Sequence, residues 1–202
     1  SAGRLILGVG IGWWEQEFAA LGVRSFGERG AYSDECLRIF KELWTSELSS
    51  FEGQYHRFSN VGCYPKPIQK PHPPIWIGGQ TTTTLKRVAR LGDGWHPLAM
   101  RKPVRLDPSE LRDKVTELHR LLETAGRNPE TVDIGLRIVL RVTDTDEAKR
   151  PLSGTPGKVA DDIRKYVQVG VTHFIFDLQM DSFQGMAETL DRFAEEVRPQ
   201  LT

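Results

Sequence analysis

The sequence lacks an excess of either charge, because 27 lysine and arginine residues balance 27 aspartate and glutamate residues. Proteins that bind nucleic acid or an anionic membrane surface usually carry a basic excess. The sequence also lacks an apolar run that approaches the ~20 residues needed to cross a bilayer. We therefore expect neither a nucleic acid nor a membrane among the partners of this protein.

Cysteine is scarce too, since Cys36 and Cys63 are the only two in 202 residues. Their spacing is not that of a metal site, and so we expect no bound metal. The apolar stretch 5–12 is short and glycine-rich, unlike a secretory leader. A hydrophobic content of 39% is sufficient for the core of one domain, 1–202. These features predict a reduced, cytoplasmic protein.

The most informative stretch runs from Pro73 to Thr84. Its apolar run 75–77 is typical of a short strand, and two glycines, Gly78 and Gly79, follow that run. The threonines at 81–84 are candidate N-cap residues for the next helix. A glycine turn that leads into a helix N-terminus suits a phosphate, because free N–H groups and the helix dipole converge there. An ordinary turn that binds nothing would show the same pattern, and both interpretations remain open here.

Glycine occupies alternate positions at Gly8, Gly10 and Gly12, in a segment that resembles a strand beginning at Leu5. Alternate residues of a strand share one face, so this face would carry no side chains. Either a flat ligand or a closely packed neighbouring element would explain a strand face without side chains. The pattern is not a dinucleotide fingerprint, because Trp13 stands where the third glycine would be required.

Strand and helix signals alternate five times along the chain, which predicts a parallel sheet with helical crossovers. The five predicted strands lie at Leu5, Ile75, Trp95, Ile134 and Phe174. Capping-box patterns at 25–28 and 107–110 predict two of the helix starts. The proline-rich segment of about 49–74, with a small hairpin near 51–55, is predicted to be an insertion. An open five-stranded sheet and part of an eight-stranded barrel both satisfy this order.

Seven motifs follow one another along nearly the whole chain. They are Arg4-Leu-Ile-Leu-Gly-Val-Gly-Ile-Gly-Trp13, Leu43-Trp44, Phe51-Glu-Gly-Gln-Tyr55, Pro65-Lys-Pro67, Pro73-Pro-Ile-Trp-Ile-Gly-Gly79, Ala89-Arg-Leu-Gly-Asp-Gly-Trp95 and Gly154-Thr-Pro156. In this order they resemble the motifs of the bacterial-luciferase-like monooxygenases, in particular the branch that uses the deazaflavin coenzyme F420. The resemblance implies a (β/α)8 TIM-barrel fold, of which this chain would supply the fourth to eighth strands as an incomplete barrel.

The resemblance also implies a cofactor at the carboxyl ends of the strands. Its phosphate would meet the backbone of Gly78, Gly79 and Gln80 and the hydroxyls of Thr81 and Thr82. Gly10 and Gly12 would lie near its ring system. The cofactor implied is F420, with FMN as the alternative. Some relatives carry an acidic residue where this chain has Trp13, and so no catalytic residue is assigned.

Trp13, His96 and Asp177 are candidates for a substrate pocket, although a hydrogen-bonded structural role is the commoner explanation for a histidine or an aspartate such as His96 and Asp177. Arg137 and Arg141 would indicate anion recognition only if they faced inward. The activity implied is hydride transfer between F420 and an organic small-molecule substrate. An FMN-dependent two-component monooxygenase and a non-catalytic flavin- or F420-binding protein are the alternatives. Unpaired sheet edges would favour a homodimer.

Overall fold

The computed structural model describes residues 1–23, 25–99, 106–147, 150–178 and 182–201. Its strands are β1 Leu7–Val9, β2 Ser49–Glu52, β3 Arg57–Val61, β4 Ile75–Gly78, β5 Gly94–His96, β6 Leu98–Ala99, β7 Asp133–Val139, β8 Arg141–Val142, β9 Ser153–Gly154 and β10 His173–Asp177. Its helices are α1 Glu15–Ala20, α2 Arg29–Thr45, α3 Thr82–Leu91, α4 Pro108–Thr124, α5 Pro156–Gln168 and α6 Phe183–Arg192, the last continuing into a π-helical turn, Phe193–Val197. Within the described ranges, no helix combines the length and apolar character that crossing a membrane requires.

The main sheet is parallel, with strand order β1-β4-β5-β7-β10 and the short β6 beside β7. These five strands are the five predicted from sequence, and the α/β fold class is therefore confirmed. The first strand begins at Leu7 rather than at the predicted Leu5. Among the described strands, β1 and β10 each have one neighbour, so the sheet is open at both edges.

One face of the sheet, here called the outer face, carries the hydrophobic core. Ile75, Ile77 and Trp95 have no exposed surface and pack with apolar residues from α3, α4 and α5. Continuous burial of this kind is expected where helices cover a parallel sheet. The amphipathic stripes of three helices thus account for the stability of the outer face.

The opposite face, here called the inner face, carries the alternate strand positions. It comprises Gly8, Trp76, Gly78, Gly94, His96, Asp133, Gly135, Arg137, Val139, His173, Ile175 and Asp177. The indole of Trp76 lies flat across Gly94 and Gly135, because a Cβ atom at either glycine would overlap it. Trp76 is 6% exposed, and its ring fills the space above these two glycines. Polar groups and glycine therefore dominate one face of the sheet and aliphatic side chains the other.

The two predicted capping boxes have opposite outcomes. Asp107 accepts hydrogen bonds from the backbone of Ser109 and Glu110, and the Glu110 carboxylate accepts one from the Asp107 N–H at 3.2 Å. The prediction at Ser25 is wrong, since that side chain caps nothing and a 3₁₀ turn, Phe26–Glu28, precedes α2. Phe26 packs edge-on against Phe18 and beneath the Arg29 guanidinium, and these contacts fix the local backbone.

A buried carboxylate attaches the β2–β3 hairpin to α2. Glu35 is 1% exposed and accepts backbone hydrogen bonds from Gln54, Tyr55 and His56 at 2.7–3.0 Å, besides one from His56 Nδ1 at 3.0 Å. Burial raises the pKa of this carboxyl, but the His56 ring and the three N–H groups outweigh burial and hold the pKa below its ordinary value. The hairpin itself is confirmed, whereas the insertion boundaries at 49–74 stay a prediction.

Candidate functional site

Most of the predicted site residues meet at the carboxyl ends of three neighbouring strands. The segment Gly10 to Trp13 follows β1, the segment Gly78 to Thr82 ends β4, and His96 ends β5. Because β4 pairs with both β1 and β5, these residues lie side by side. Asp177 ends β10 at the opposite edge of the sheet. In α/β proteins, ligands bind at this end of a parallel sheet.

The turn between β4 and α3 has a backbone conformation that requires glycine. Gly79 has φ +118°, and a Cβ atom there would lie 2.8 Å from Thr84 Oγ1. The Trp95 indole donates to the Gly79 carbonyl at 2.7 Å, and the Gln80 side-chain amide donates to the Leu98 carbonyl. These contacts within the protein fix the conformation of the turn, so the turn does not depend on a ligand for its shape.

The start of α3 presents hydrogen-bond donors and positive charge at this turn. The Thr81 hydroxyl oxygen accepts from the Thr84 N–H at 3.2 Å, and Thr82 and Thr83 are exposed. Lys114, from α4, donates to the Gln80 carbonyl at 2.9 Å and places an ammonium group beside the turn. Helix N–H groups, hydroxyls and a lysine form the donor set that a phosphate prefers. The residues present therefore fit the phosphate of a flavin or deazaflavin.

The glycines in β1 and in the segment that follows it are of two kinds. A Cβ atom at Gly8 or at Gly10 would meet nothing within 4 Å, so no described element packs against that face. Gly12 has φ +80°, and a Cβ atom there would lie 2.5 Å from the Phe18 ring. Gly12 is therefore required by the local fold, whereas Gly8 and Gly10 leave space in which a flat ligand fits.

Trp13 continues this segment and is 84% exposed. Its ring stacks against that of Trp14, with 6.2 Å between the centroids. A large apolar side chain held at the carboxyl edge suits contact with an organic molecule, as the sequence suggested. Its role in a substrate pocket stays a prediction.

Two polar contacts order the inner face. His96 Nδ1 bonds with the Gly135 carbonyl at 2.6 Å, and Arg137 pairs with Asp177 at 2.7 Å. Arg137 therefore lies on the inner face, which is the position that anion recognition would require. Its charge is already balanced by Asp177. Arg141 lies in β8, outside the main sheet, and its Nη1 is 3.9 Å from Glu147 Oε1. His96 and Asp177 therefore lie on one face without touching each other.

Sequence reasoning missed two residues that shape the turn. Lys114 lies 34 positions after Gln80 and belongs to a helix that was predicted from its capping box at 107–110. Trp95 was predicted as part of a strand, and the hydrogen bond from its indole to Gly79 depends on the pairing of β4 with β5. Neither contact leaves a local signal in the sequence, because each joins elements that are distant along the chain.

Comparison with known proteins agrees with this architecture. The family model described as luciferase-like monooxygenase matches residues 1–151. The FMNH(2)-dependent dimethylsulfone monooxygenase of Pseudomonas putida is 29% identical over 152 residues, which are 74% of this chain and 39% of that protein. The uncharacterized protein Rv0953c of Mycobacterium tuberculosis is 32% identical over 180 residues, 83% of this chain and 58% of that protein. The chain thus spans less than two thirds of either relative.

Solved structures show the same fold. The monooxygenase RslO1 of Streptomyces bottropensis superposes with a TM-score of 0.81 at 24% identity, over 100% of this chain and 70% of that one. An F420-dependent secondary alcohol dehydrogenase superposes with a TM-score of 0.79 at 18% identity, over 99% and 70% of the two chains. The match of the family model to three quarters of the sequence, together with this fold, establishes that the chain belongs to the luciferase-like monooxygenase family.

Proposed function

We propose that the protein to which this chain belongs is an oxidoreductase that transfers a hydride between F420 and an organic substrate. The observation that carries the proposal is the β4–α3 turn, where the fixed backbone of Gly78 to Gln80 meets the N-terminus of α3. Membership in a family of flavin- and deazaflavin-dependent oxidoreductases supports it. We further propose that the protein acts in the cytoplasm.

In this proposal the chain binds and orients the cofactor, while the cofactor supplies the hydride chemistry. The N–H groups at the turn and at the start of α3 hold the phosphate, and Lys114 adds positive charge nearby. The bare strip at Gly8 and Gly10 leaves space for a planar ring on the inner face. Because Trp95 and Gln80 already fix the turn, little ordering entropy is lost on binding.

FMN in a two-component monooxygenase is the second candidate. The observation that favours it is the match to the Pseudomonas putida relative, whose name specifies FMNH(2). The similar folds include an F420-dependent alcohol dehydrogenase and an F420-dependent tetrahydromethanopterin reductase, which favour the deazaflavin. Both cofactors carry a phosphate, and the turn would serve either. The third candidate is a protein that binds one of these cofactors at the same site but catalyses no reaction.

A titration distinguishes these candidates. The purified protein is titrated with F420 and, separately, with FMN, and binding is followed by cofactor fluorescence. Lys114→Met serves as the site variant, with Arg120→Met, an exposed arginine on the same helix, as its matched control. We expect tighter binding of F420 than of FMN, weakened in the Lys114 variant and unchanged in the Arg120 variant.

The outcomes separate the three interpretations of the site. Binding of FMN in preference to F420 would replace the first candidate by the second. Binding of F420 without hydride transfer to or from any organic substrate that is assayed would favour the non-catalytic protein. If neither cofactor binds to the wild-type protein, the proposal is wrong.

A further inference from the structure

A groove with a volume of about 750 Å³ lies where α3 packs between α2 and α4. It is called the helix groove here, and its lining residues come from these three helices and from Ala125, the residue that follows α4. None of the described turn residues 78–82 lines it, so it is separate from the candidate cofactor site. A volume of this size is typical of sites that hold a small organic ligand.

The wall of the helix groove on α4 carries no charge. It consists of Leu121, Thr124 and Ala125, of which Leu121 is half-buried and the other two are exposed. Apolar surface that water can reach contributes favourable free energy when a ligand covers it. This wall therefore suits the aliphatic or aromatic part of an organic molecule.

The wall on α2 and α3 carries an excess of positive charge. Its ionised groups are Asp34, Lys86, Arg87 and Arg90, and three cations against one carboxylate leave a net charge of +2 in a chain whose formal charge is zero. Asp34 already pairs with both arginines, through Oδ1 with Arg87 Nε and through Oδ2 with Arg90 Nη2, the latter at 2.9 Å. Lys86 is exposed, and no described residue forms an ion pair with it. This wall is therefore short of negative charge.

Arg87 is the fixed part of that charge. The residue is 3% exposed, and its Nη2 donates to the Gly30 carbonyl at 3.4 Å. A Cβ atom at residue 30 would lie 3.0 Å from the same nitrogen, so glycine allows α2 to approach the guanidinium group this closely. A buried cation is costly unless an anion balances it, and Arg87 must share Asp34 with Arg90. An anion in the groove would complete the balance.

The helix termini favour one orientation of a ligand in the groove. Gly30 and Ala31 belong to the first turn of α2, where no side chain caps the helix and the dipole is positive. Thr124 and Ala125 lie at the C-terminus of α4, where the dipole is negative. A carboxylate is therefore favoured beside α2 and α3, and the apolar part of the same molecule is favoured along α4.

We propose that the helix groove binds an organic monocarboxylate with an apolar body, such as a medium-chain alkanoate. Its carboxylate pairs with Arg90 and Lys86, whose side chains are exposed, and its apolar part covers Leu121 and Ala125. The inference goes beyond the proposed function and is independent of it. Failure of F420 and FMN to bind would refute the proposed function and leave this inference unaffected.

Calorimetric titration of the purified protein with hexanoate, octanoate and decanoate, each below its critical micelle concentration, tests both walls. We expect binding that tightens about two- to fourfold for each added CH₂ group, because each one covers further apolar surface. Octanol lacks the charge and inorganic phosphate lacks the apolar body, so each should bind about tenfold more weakly than octanoate. Octanol that binds as tightly as octanoate would overturn the role of the charge, and phosphate that does so would overturn the role of the apolar body.

Substitutions of the exposed cations locate the site. Arg90→Gln and Lys86→Gln each remove one charge, and we expect each to weaken decanoate binding about fivefold, as for an exposed ion pair. The double variant should bind about 25-fold more weakly if the two contributions are independent. Arg112→Gln is the matched control, because Arg112 is an exposed arginine of α4 outside the groove. Unchanged binding in the double variant would overturn the assignment of the site.

Chemical modification of the wild-type protein gives a measurement that does not depend on the folding of any variant. Phenylglyoxal reacts with accessible guanidinium groups, and mass spectrometry locates the products. We expect saturating decanoate to slow the modification of Arg90 and to leave that of Arg112 unchanged. Absence of binding by all three alkanoates, or equal protection of the two arginines, would overturn the proposal.

Discussion

Replacement of Gly79 by alanine tests the physical account of the cofactor turn most directly. Gly79 has φ +118°, beyond the left-handed helical region that other residues occasionally adopt. The added Cβ would also lie 2.8 Å from Oγ1 and 3.3 Å from Cγ2 of Thr84, a buried residue of α3. The backbone strain and the overlap with Thr84 both destabilise the native conformation of the turn. The strain arises in the backbone of residue 79, whereas the overlap involves the side chain of Thr84.

The expected magnitude follows from these two effects. A non-glycine residue held in so sparsely populated a region costs about 1–3 kcal/mol. Displacement of Thr84 also weakens the cap in which its N–H donates to Thr81, a contribution of about 1 kcal/mol. We therefore expect Gly79→Ala to lower the free energy of unfolding by about 2–4 kcal/mol. In a domain of this size, the melting temperature should fall by roughly 5–15 °C.

Urea unfolding followed by circular dichroism measures this change. Gly157→Ala is the matched control, because a Cβ atom at that position of α5 would meet nothing within 4 Å. There the same substitution should stabilise the protein by about 0.4–1 kcal/mol. The pair Gly79→Ala and Thr84→Ala, measured alone and together, separates the contact from the backbone strain. A Gly79 variant as stable as the wild type would refute the reasoning.

Two further predictions concern the hairpin and the sheet edges. The lowered pKa of Glu35 implies that its contribution to stability is complete above the ordinary glutamate pKa of about 4.3 and is lost as the pH falls through the lower folded pKa. Hydrogen exchange at 53–56 should accelerate over that interval in the wild type and should be fast throughout in Glu35→Gln; equal pH profiles would contradict this. The open edges at β1 and β10, with Leu5 and Ile6 half-exposed beside β1, lead us to propose a homodimer. Sedimentation velocity should show it, and a dilute monomer would contradict it.

The five strands of the main sheet could be predicted because their signals are local. Ile75 to Ile77 and Phe174 to Phe176 form short apolar runs bounded by glycine, proline or polar residues, and each precedes a helix with a recognisable start. Burial under helices permits such runs, since no alternation with polar residues is required. The glycine turn after β4 was predictable for the same reason. Its conformation is encoded within a few residues.

Tertiary contacts explain what the sequence did not predict. The pattern at Ser25 satisfies the capping-box rule as well as that at Asp107 does, but Phe26 is held by Phe18 and Arg29 in a different conformation. Helix α1 was missed because none of its six residues is buried, so no apolar stripe marks it. Glu35 was missed because a charged residue within a helix predicts an exposed position. The hairpin turn that satisfies its carboxylate is 19 to 21 residues away.

The candidate site was predictable only in part. The phosphate turn follows from its own residues, whereas Lys114 reaches it from a later helix. The pairing of Arg137 with Asp177 needed the register of β7 against β10, which no local pattern specifies. Which of the two faces Arg137 occupies was likewise left open by sequence. Structure was required wherever the chemistry depends on two elements at once.

The separation of the two faces of the sheet has a consequence for how such a protein can change. Ile75, Ile77 and Trp95 on the outer face are sealed beneath helices, so most substitutions there would unfold the protein. The inner positions of the same strands carry glycine, histidine and Trp76, and none of these residues belongs to the hydrophobic cluster beneath the helices. A lineage, or a mutant library, could therefore exchange the residues that select a substrate while the scaffold retains its stability. New specificities should accumulate at alternate positions along each strand, with a period of two residues.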